Sequence, residues 1–217
     1  EIAFEHGILL TFLPKPLAEA GGSGMHINFS FTDADGKNAI TSEDGQLNDL
    51  AAGCVAGMLN HHKGLAGLIA PTVNSYERLQ PGALAGYWQN WAHDHRNVTV
   101  RTSIAGAKAR LEHRMADASA NPYTATAAVL QAARLGVTGG YALPAMETGD
   151  GFEVTDANSG VAADLGSAIA DLELDTKLAN AVGEDIVANH VHMKSAEVEK
   201  TANLKGEDLR DFYVQFV

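Results

Sequence analysis

The sequence predicts an α+β fold built on an antiparallel or mixed sheet, with packed helices and a helical C-terminal tail. Three observations carry this prediction. Stretches in which every second residue is apolar, such as Met25 to Phe31, mark strands that bury one face. Between them lies a long stretch with the helical period, Leu47 to Ile69. Beyond about residue 150 only helical patterns follow, so strands with interleaved helices give way to helices alone. No GxGxxG-type phosphate loop follows any strand.

The elements follow in order. Glu1 to Gly7 reads as the last turns of a helix ending at a C′ glycine, with no N-cap and no Met, as expected of the middle of a longer protein. Ile8 to Leu13, bounded by Pro14 and Pro16, predicts a buried strand. A glycine-rich loop, Gly21 to Gly24, leads into a second strand with Met25, Ile27, Phe29 and Phe31 on one face and His26, Asn28 and Ser30 on the other. Asp33-Ala-Asp-Gly36 makes a turn, and Leu47 to Ile69 predicts an amphipathic helix packed on the sheet. Pro71 to Gly82 is a turn-rich connector, and the segment Arg96 to Arg114 supplies two more strands. Asn121 caps a helix with Pro122 at its first position and Gly136 beyond its end. After a glycine-rich break at roughly 139 to 151 come helices over Ala162 to Leu174, Leu178 to Val182, Glu184 to Thr201 and Gly206 to Val217. The division is residues 1–150, then a helical extension of the same domain over 151–217.

Composition narrows the class. A chain of 217 residues with 46% apolar content can bury a sizeable core in one domain. Its single cysteine, Cys54, excludes an internal disulfide and a thiolate metal site, and a core position in a cytoplasmic protein is expected. No segment approaches the length of uninterrupted apolar sequence that a membrane helix needs, and no basic region followed by an apolar core opens the chain. A net charge of −12 argues against a duplex nucleic-acid binder, which needs a basic face to displace counterions.

Against that acidic background one window stands out. Arg96 to Arg114 holds five of the fifteen Lys and Arg residues and a single acid, Glu112. On strands, Arg110, Glu112 and Arg114 share a face, and Thr99 with Arg101 falls opposite Val98 and Val100. Two adjacent strands would set three arginines around one carboxylate. One reading is a surface ladder of cross-strand salt bridges. The other is a site for a small polyanion.

The row His26-x-Asn28-x-Ser30 is the second constellation. Paired with Glu112 among arginines, His26 describes a divalent metal holding a polyphosphate: the metal takes imidazole and carboxylate ligands, and guanidinium forks take the phosphate oxygens. The remaining histidine pairs, His61-His62, His93-x-His95 and His190-x-His192, have no matching third ligand nearby and read as structural or solvated. The tail acids, such as Glu197, Glu199, Glu207 and Asp208, read as a solvated face or a subunit contact.

Four stretches carry a family resemblance: Thr11-Phe-Leu-Pro-Lys-Pro16; Gly22-Ser-Gly-Met-His-Ile-Asn-Phe-Ser30; Pro71 to Gly82; and Ala109-Arg-Leu-Glu-His-Arg114 with Asp117 to Tyr123. In this order and spacing they resemble the catalytic, C-terminal domain of the glutamine synthetase superfamily, over about residues 7 to 136 and more weakly in the tail. The resemblance implies a truncated version of the fold shared with guanidino kinases, and roles position by position. His26 and Glu112 match metal ligands that bridge ATP phosphates, for Mg2+ or Mn2+. Asn28, Ser30, Lys108 and Arg110 match positions beside the nucleotide, and Arg96 and Arg101 match phosphate-facing arginines. Gly22, Arg78 and Arg114 match residues holding the acid substrate, with Arg78 and Arg96 closest to the chemistry. The implied reaction is ATP phosphorylation of the γ-carboxylate of glutamate or a similar acid, then condensation with ammonia or another amine.

Three departures qualify the resemblance. The family's other carboxylate ligands, including a Glu-x-Glu pair, and its small N-terminal β-domain are expected upstream of Glu1, so the N-terminal half is missing from this sequence. The family's flap glutamate falls at Ala83 or Leu84, which points to a bulkier amine, as in the γ-glutamyl-amine ligases. The asparagine expected before Gly22 is Gly21. Two alternatives stand beside the ligase: a truncated, non-catalytic homologue with a partial nucleotide-binding face, and a guanidino kinase, whose cysteine-bearing loop Cys54 does not match. The partners implied are the acid and the amine, with a homo-oligomer or association with the N-terminal half.

Overall fold

A computed structural model of the protein describes residues 1–152 and 159–216. Its sheet has four short strands, β1 (Ile27–Phe29), β2 (Trp91–His93), β3 (Val100–Ser103) and β4 (Arg110–His113), in the order β1-β4-β3-β2. β4 runs antiparallel to both β1 and β3, and β2 runs parallel to β3, so the sheet is mixed. The register sets Asn28 opposite Glu112 on one side of β4 and Arg101 opposite Glu112 on the other. β2 lies outside the two strands expected of the arginine window; its three residues are too few to show an alternating pattern.

Alternation divides the sheet as the sequence requires. Ile27, Val100, Leu111 and His113 turn into the core, and His26, Asn28 and Ser30 stay exposed on the other face. The core side is closed by α2 (Asp49–Asn60), α3 (His62–Ile69) and α5 (Pro122–Gly139), whose Cys54, Met58, Leu65, Val129 and Ala132 are buried in one cluster. α6 (Leu165–Leu174), α7 (Thr176–Val182) and α8 (Glu184–Thr201) add Leu165, Leu172, Leu178 and Val187 to the same cluster. Short helices α1 (Ile2–Glu5) and α4 (Ser75–Arg78) and the last helix, α9 (Gly206–Tyr213), complete the set. Among the described residues, no helix is long and apolar enough to cross a membrane.

Four expectations are corrected. Residues 8–13 form no strand: Ile8, Leu9, Leu10 and Phe12 are exposed, and only Leu13 is buried, against Leu209 and Tyr213. Their apolar run has no partner strand here, and a strand without a ladder leaves its backbone groups to water. The expected helix Leu47 to Ile69 is two, α2 and α3, broken at His61 where ψ is 15°. Apolar spacing continues across the break, so the pattern alone cannot show it.

Gly136 does not end α5, which continues to Gly139 and closes on Gly140 at φ 62°. Gly136 instead meets α2 face to face: a Cβ there would lie 2.1 Å from the Gly53 carbonyl oxygen, and one on Gly57 would lie 2.1 Å from that of Ala132. Glycine serves here for close backbone approach rather than as a stop. The expected final helix ends at Tyr213, and its last residue, Val217, lies outside the described residues, as do residues 153–158 of the 151–217 segment.

Candidate functional site

The outer face of the sheet gathers around Glu112. Its position on β4 turns the side chain away from the core, yet the residue is only 2% exposed because neighbouring side chains cover it. Arg101, directly across on β3, donates from Nε and Nη2 to Oε2 at 2.7 and 2.5 Å. Arg114 Nη1 donates to Oε1 at 2.6 Å, and His26 Nδ1 lies 2.8 Å from the same oxygen. Burial raises the carboxyl's pKa, but His26, Arg101 and Arg114 outweigh it and hold the group at about 2. Arg110, expected around the same carboxylate, donates instead to Asn28 Oδ1 at 3.2 Å, one row along the face.

Beside this cluster opens a cleft of about 720 Å3 lined by Gly22, His26, Arg78 and Arg114, among others. Arg78 is 7% exposed; its Nη1 donates to the Met115 carbonyl at 2.7 Å and Nη2 to that of Arg114 at 3.4 Å. Burial lowers its pKa and the buried Asp117 opposes that shift. Gly22 and Gly24 admit the Arg78 side chain: a Cβ on Gly22 would sit 3.0 Å from its Cγ, and one on Gly24 2.6 Å from its Nη2. The three residues expected to hold an acid substrate therefore share one cleft, and His26 joins it to the Glu112 cluster.

Other expected residues lie farther out. Ser30 is exposed just beyond β1, and Lys108 is exposed on the 3-10 turn Gly106–Lys108, where its carbonyl accepts from Arg110. Arg96 is exposed in the turn between β2 and β3; among the described residues no hydrogen bond or ion pair brings it to Glu112. The face thus unites His26, Asn28, Arg101, Arg110, Glu112 and Arg114 and leaves Arg96, Ser30 and Lys108 at its margins.

His26 and Glu112 supply an imidazole and a carboxylate, a donor set suited to a divalent cation. His26 turns Nδ1 to Glu112, so Nε2 is the ring nitrogen left to reach a metal. Among the described residues no group of three or more His, Cys, Asp or Glu side chains stands close enough to hold an ion, so these two fit only a share of its coordination. Five other histidines make structural contacts. His61 Nδ1 meets Asp175 Oδ2 at 2.7 Å, His62 Nε2 donates to the Tyr87 carbonyl at 3.0 Å, and His190 Nε2 donates to that of Gly67 at 2.8 Å. His93 and His95 meet Thr102 and Gly149. Cys54 is 2% exposed, and burial pushes its thiol up to about 11, the state of an inert core residue.

Residue-by-residue reading passed over three positions. Lys15 and Phe152 line the cleft from segments distant in sequence, and nothing local marks them. His113 was legible: one position from Glu112 on a strand, it must face the core, where it is fully buried with both ring nitrogens unpartnered.

Known proteins resemble the chain over most of its length. A family model described as "Glutamine synthetase, catalytic domain" matches residues 1–211. The chain is 36% identical over 205 residues to a glutamine synthetase of Pyrococcus woesei, covering 91% of this chain and 46% of that protein. It is 35% identical over 206 residues to a glutamine synthetase of Methanocaldococcus jannaschii, covering 90% and 45%. The chain thus spans about half the length of the curated relatives it matches. A solved structure described as "Apo GmaS without ligand" superposes with a TM-score of 0.83 at 30% identity, over 97% of this chain and 49% of that one. Another, "GmaS/ADP complex-Conformation 1", gives 0.82 at 30% identity, over 99% and 51%.

Proposed function

The chain belongs to the glutamine synthetase family, matching its catalytic domain over residues 1–211, and from that premise we propose that it carries the nucleotide- and acid-facing part of an ATP-dependent carboxylate–amine ligase. The observation that carries the reading is the junction of two sites at His26. On one side Glu112 is held ionised among His26, Arg101 and Arg114; on the other a cleft presents Arg78 and Arg114 to an incoming acid.

In this reading Arg78 and Arg114 bind the carboxylates of glutamate or a similar acid through charge-assisted hydrogen bonds. Arg101, with Arg110 on the neighbouring strand and Arg96 in the turn before β3, faces the phosphates of ATP, and Asn28, Ser30 and Lys108 lie along the nucleotide. Arginines fixed beforehand around a transferring phosphoryl group stabilise its charge without reorganising during the reaction. His26 and Glu112 would hold Mg2+ or Mn2+, whose chemistry is to neutralise phosphate charge. The γ-carboxylate becomes an acyl phosphate, from which an attacking amine then displaces phosphate.

The ligand count supports a second reading for residues 1–217 taken by themselves: a nucleotide-binding face that does not complete the chemistry. Two candidate metal ligands and the exposed apolar run Ile8 to Phe12 favour it. A guanidino kinase draws no support from Cys54, which is buried in α2 rather than carried on a loop.

The test measures ATP- and glutamate-dependent phosphate release by the complete polypeptide, with ammonia and a panel of amines, and ATP binding by residues 1–217 alone. Turnover by the complete polypeptide with weak binding by the isolated segment is expected. Absence of turnover with every amine overturns the ligase.

A further inference from the structure

We infer that His95 and Asn97 are positioning residues for Arg96: they clamp the turn between β2 and β3 to residues 147–152 and so fix the backbone from which that arginine reaches out. The inference rests on the ligase reading above, in which Arg96 faces the phosphates, and it names the groups that place the arginine there.

The topology of the turn explains why it needs holding. β2 and β3 run parallel, Trp91 beside Val100 and His93 beside Thr102, yet only residues 94–99 connect them. Parallel neighbours ordinarily need a crossover of about a dozen residues or more, so this chain must reverse at once. It does so at Asp94, whose φ of 45° is left-handed, a conformation that a short polar side chain tolerates. Among the described residues no other non-glycine adopts a positive φ.

Three side chains fasten the reversed turn. His95 Nε2 donates to the Gly149 carbonyl at 3.2 Å, Asn97 Nδ2 to that of Asp150 at 2.6 Å and Asn90 Nδ2 to that of Gly151 at 3.4 Å, so three successive carbonyls are engaged. Nδ1 of the same imidazole accepts from the Asn97 backbone N–H at 3.2 Å, and one neutral tautomer serves both contacts. Gly151, at φ 76°, allows the close approach: an added Cβ would lie 3.1 Å from Asn97 Cβ. The receiving segment is itself anchored. Glu147 N donates to the Trp91 carbonyl at 2.9 Å, and Trp88 Nε1 donates to that of Phe152 at 2.9 Å.

The clamp meets the site at both ends. His95 and Asn97 are half-buried on either side of Arg96, which is exposed, and the chain beyond them enters β3, where Arg101 is paired with Glu112. At its other end the receiving segment supplies Phe152 to the cleft that holds Arg78 and Arg114. A guanidinium on a backbone fixed in this way is set before its ligand arrives, which is how a preorganised group stabilises a transferring phosphoryl without reorganising.

The test measures kcat and both KM values of the complete polypeptide for Arg96→Ala, Asn97→Asp, His95→Phe and the two doubles with Arg96→Ala. Asn97→Asp keeps the shape and loses the donor, and His95→Phe keeps a ring and loses both contacts; where one does not fold, the other gives the same comparison. Arg96→Ala is expected to lower kcat about a hundredfold. Each clamp variant is expected to lower it about tenfold, with the KM for the acid within about twofold, because Phe152 keeps its own tie to Trp88. In the doubles kcat should fall no further than in Arg96→Ala alone, since residues that act through one group are not additive. Multiplied losses in the doubles, or an unchanged kcat in the clamp variants, overturn this inference and leave the ligase intact. An unchanged kcat in Arg96→Ala overturns the inference together with the phosphate-facing role of Arg96, and absence of turnover by the unsubstituted polypeptide with every amine overturns the ligase as well.

Discussion

Arg101 and Glu112 face one another across β3 and β4, and the arginine directs both Nε and Nη2 to a single carboxylate oxygen, Oε2, at 2.7 and 2.5 Å. That leaves Oε1 to Arg114 and His26, so both oxygens of a carboxylate only 2% exposed are compensated. The cross-strand ladder and the polyanion site, which the sequence presents as alternatives, here share one carboxylate. The charges that satisfy Glu112 are those the proposed reaction would redirect to phosphate.

Replacing Glu112 by Gln removes the charge and keeps the shape. Arg114, buried at 6% exposure, then lacks its counter-charge, and breaking such a pair costs about 3 kcal/mol. Denaturant titration of the variant is expected to show that loss. A change below about 0.5 kcal/mol would mean that the cluster is solvated like a surface pair.

Stability should fall as pH drops below about 6.5, because two buried histidines are held neutral in the fold. Burial lowers His62 from 6.5 to about 4 and His113 from 6.5 to about 3. In the unfolded chain both take up protons near pH 6.5, while in the fold they stay neutral. Their contribution is therefore complete above pH 6.5 and is lost as pH falls toward 4 and 3. Denaturation midpoints at pH 7.5 and 5 measure the loss, and His113→Leu should flatten the dependence.

Gly57 and Gly136 have no room for a methyl group. Either Gly→Ala change would bring a Cβ to 2.1 Å from a backbone carbonyl of the facing helix and force α2 and α5 apart. A destabilisation of about 3 kcal/mol, the upper range for overpacking, is expected for each by thermal or chemical unfolding. Retention of stability in both variants would show that the two helices do not cross there.

Leu9, Leu10 and Phe12 are 77%, 58% and 53% exposed. Grouped apolar exposure of this kind binds hydrophobic dyes. Residues 1–217 alone should enhance such a dye's fluorescence, and replacing the three by Ser should abolish most of the enhancement with a stability change within about 0.5 kcal/mol. A large stability loss would mean that the run is packed in solution.

Arg78→Lys keeps the charge of the cleft and loses the planar fork. Lysine cannot donate to the Met115 and Arg114 carbonyls from one rigid group, so the two backbone segments lose their tie. In the complete polypeptide the proposed role predicts a KM for the acid raised by about tenfold, with a smaller change in the KM for ATP. Equal changes for both substrates would assign Arg78 to structure alone.

The sequence by itself determined whatever depends on residue period and local chemistry. Strict alternation separated His26, Asn28 and Ser30 from Met25, Ile27, Phe29 and Phe31, and it aligned Arg110, Glu112 and Arg114 on one face. The Asn121-Pro122 start of α5 and the full extent of α8 were equally plain. Only the tertiary structure decided what depends on distant partners. An apolar run such as Ile8 to Leu13 becomes a strand only beside another strand, and Gly136 ends a helix only where no second helix needs its missing side chain. The same holds for Glu112: its place on the face is a matter of period two. Its burial, its depressed pKa and the choice of Arg101 and Arg114 over Arg110 follow from register across three strands, which no single stretch of sequence contains.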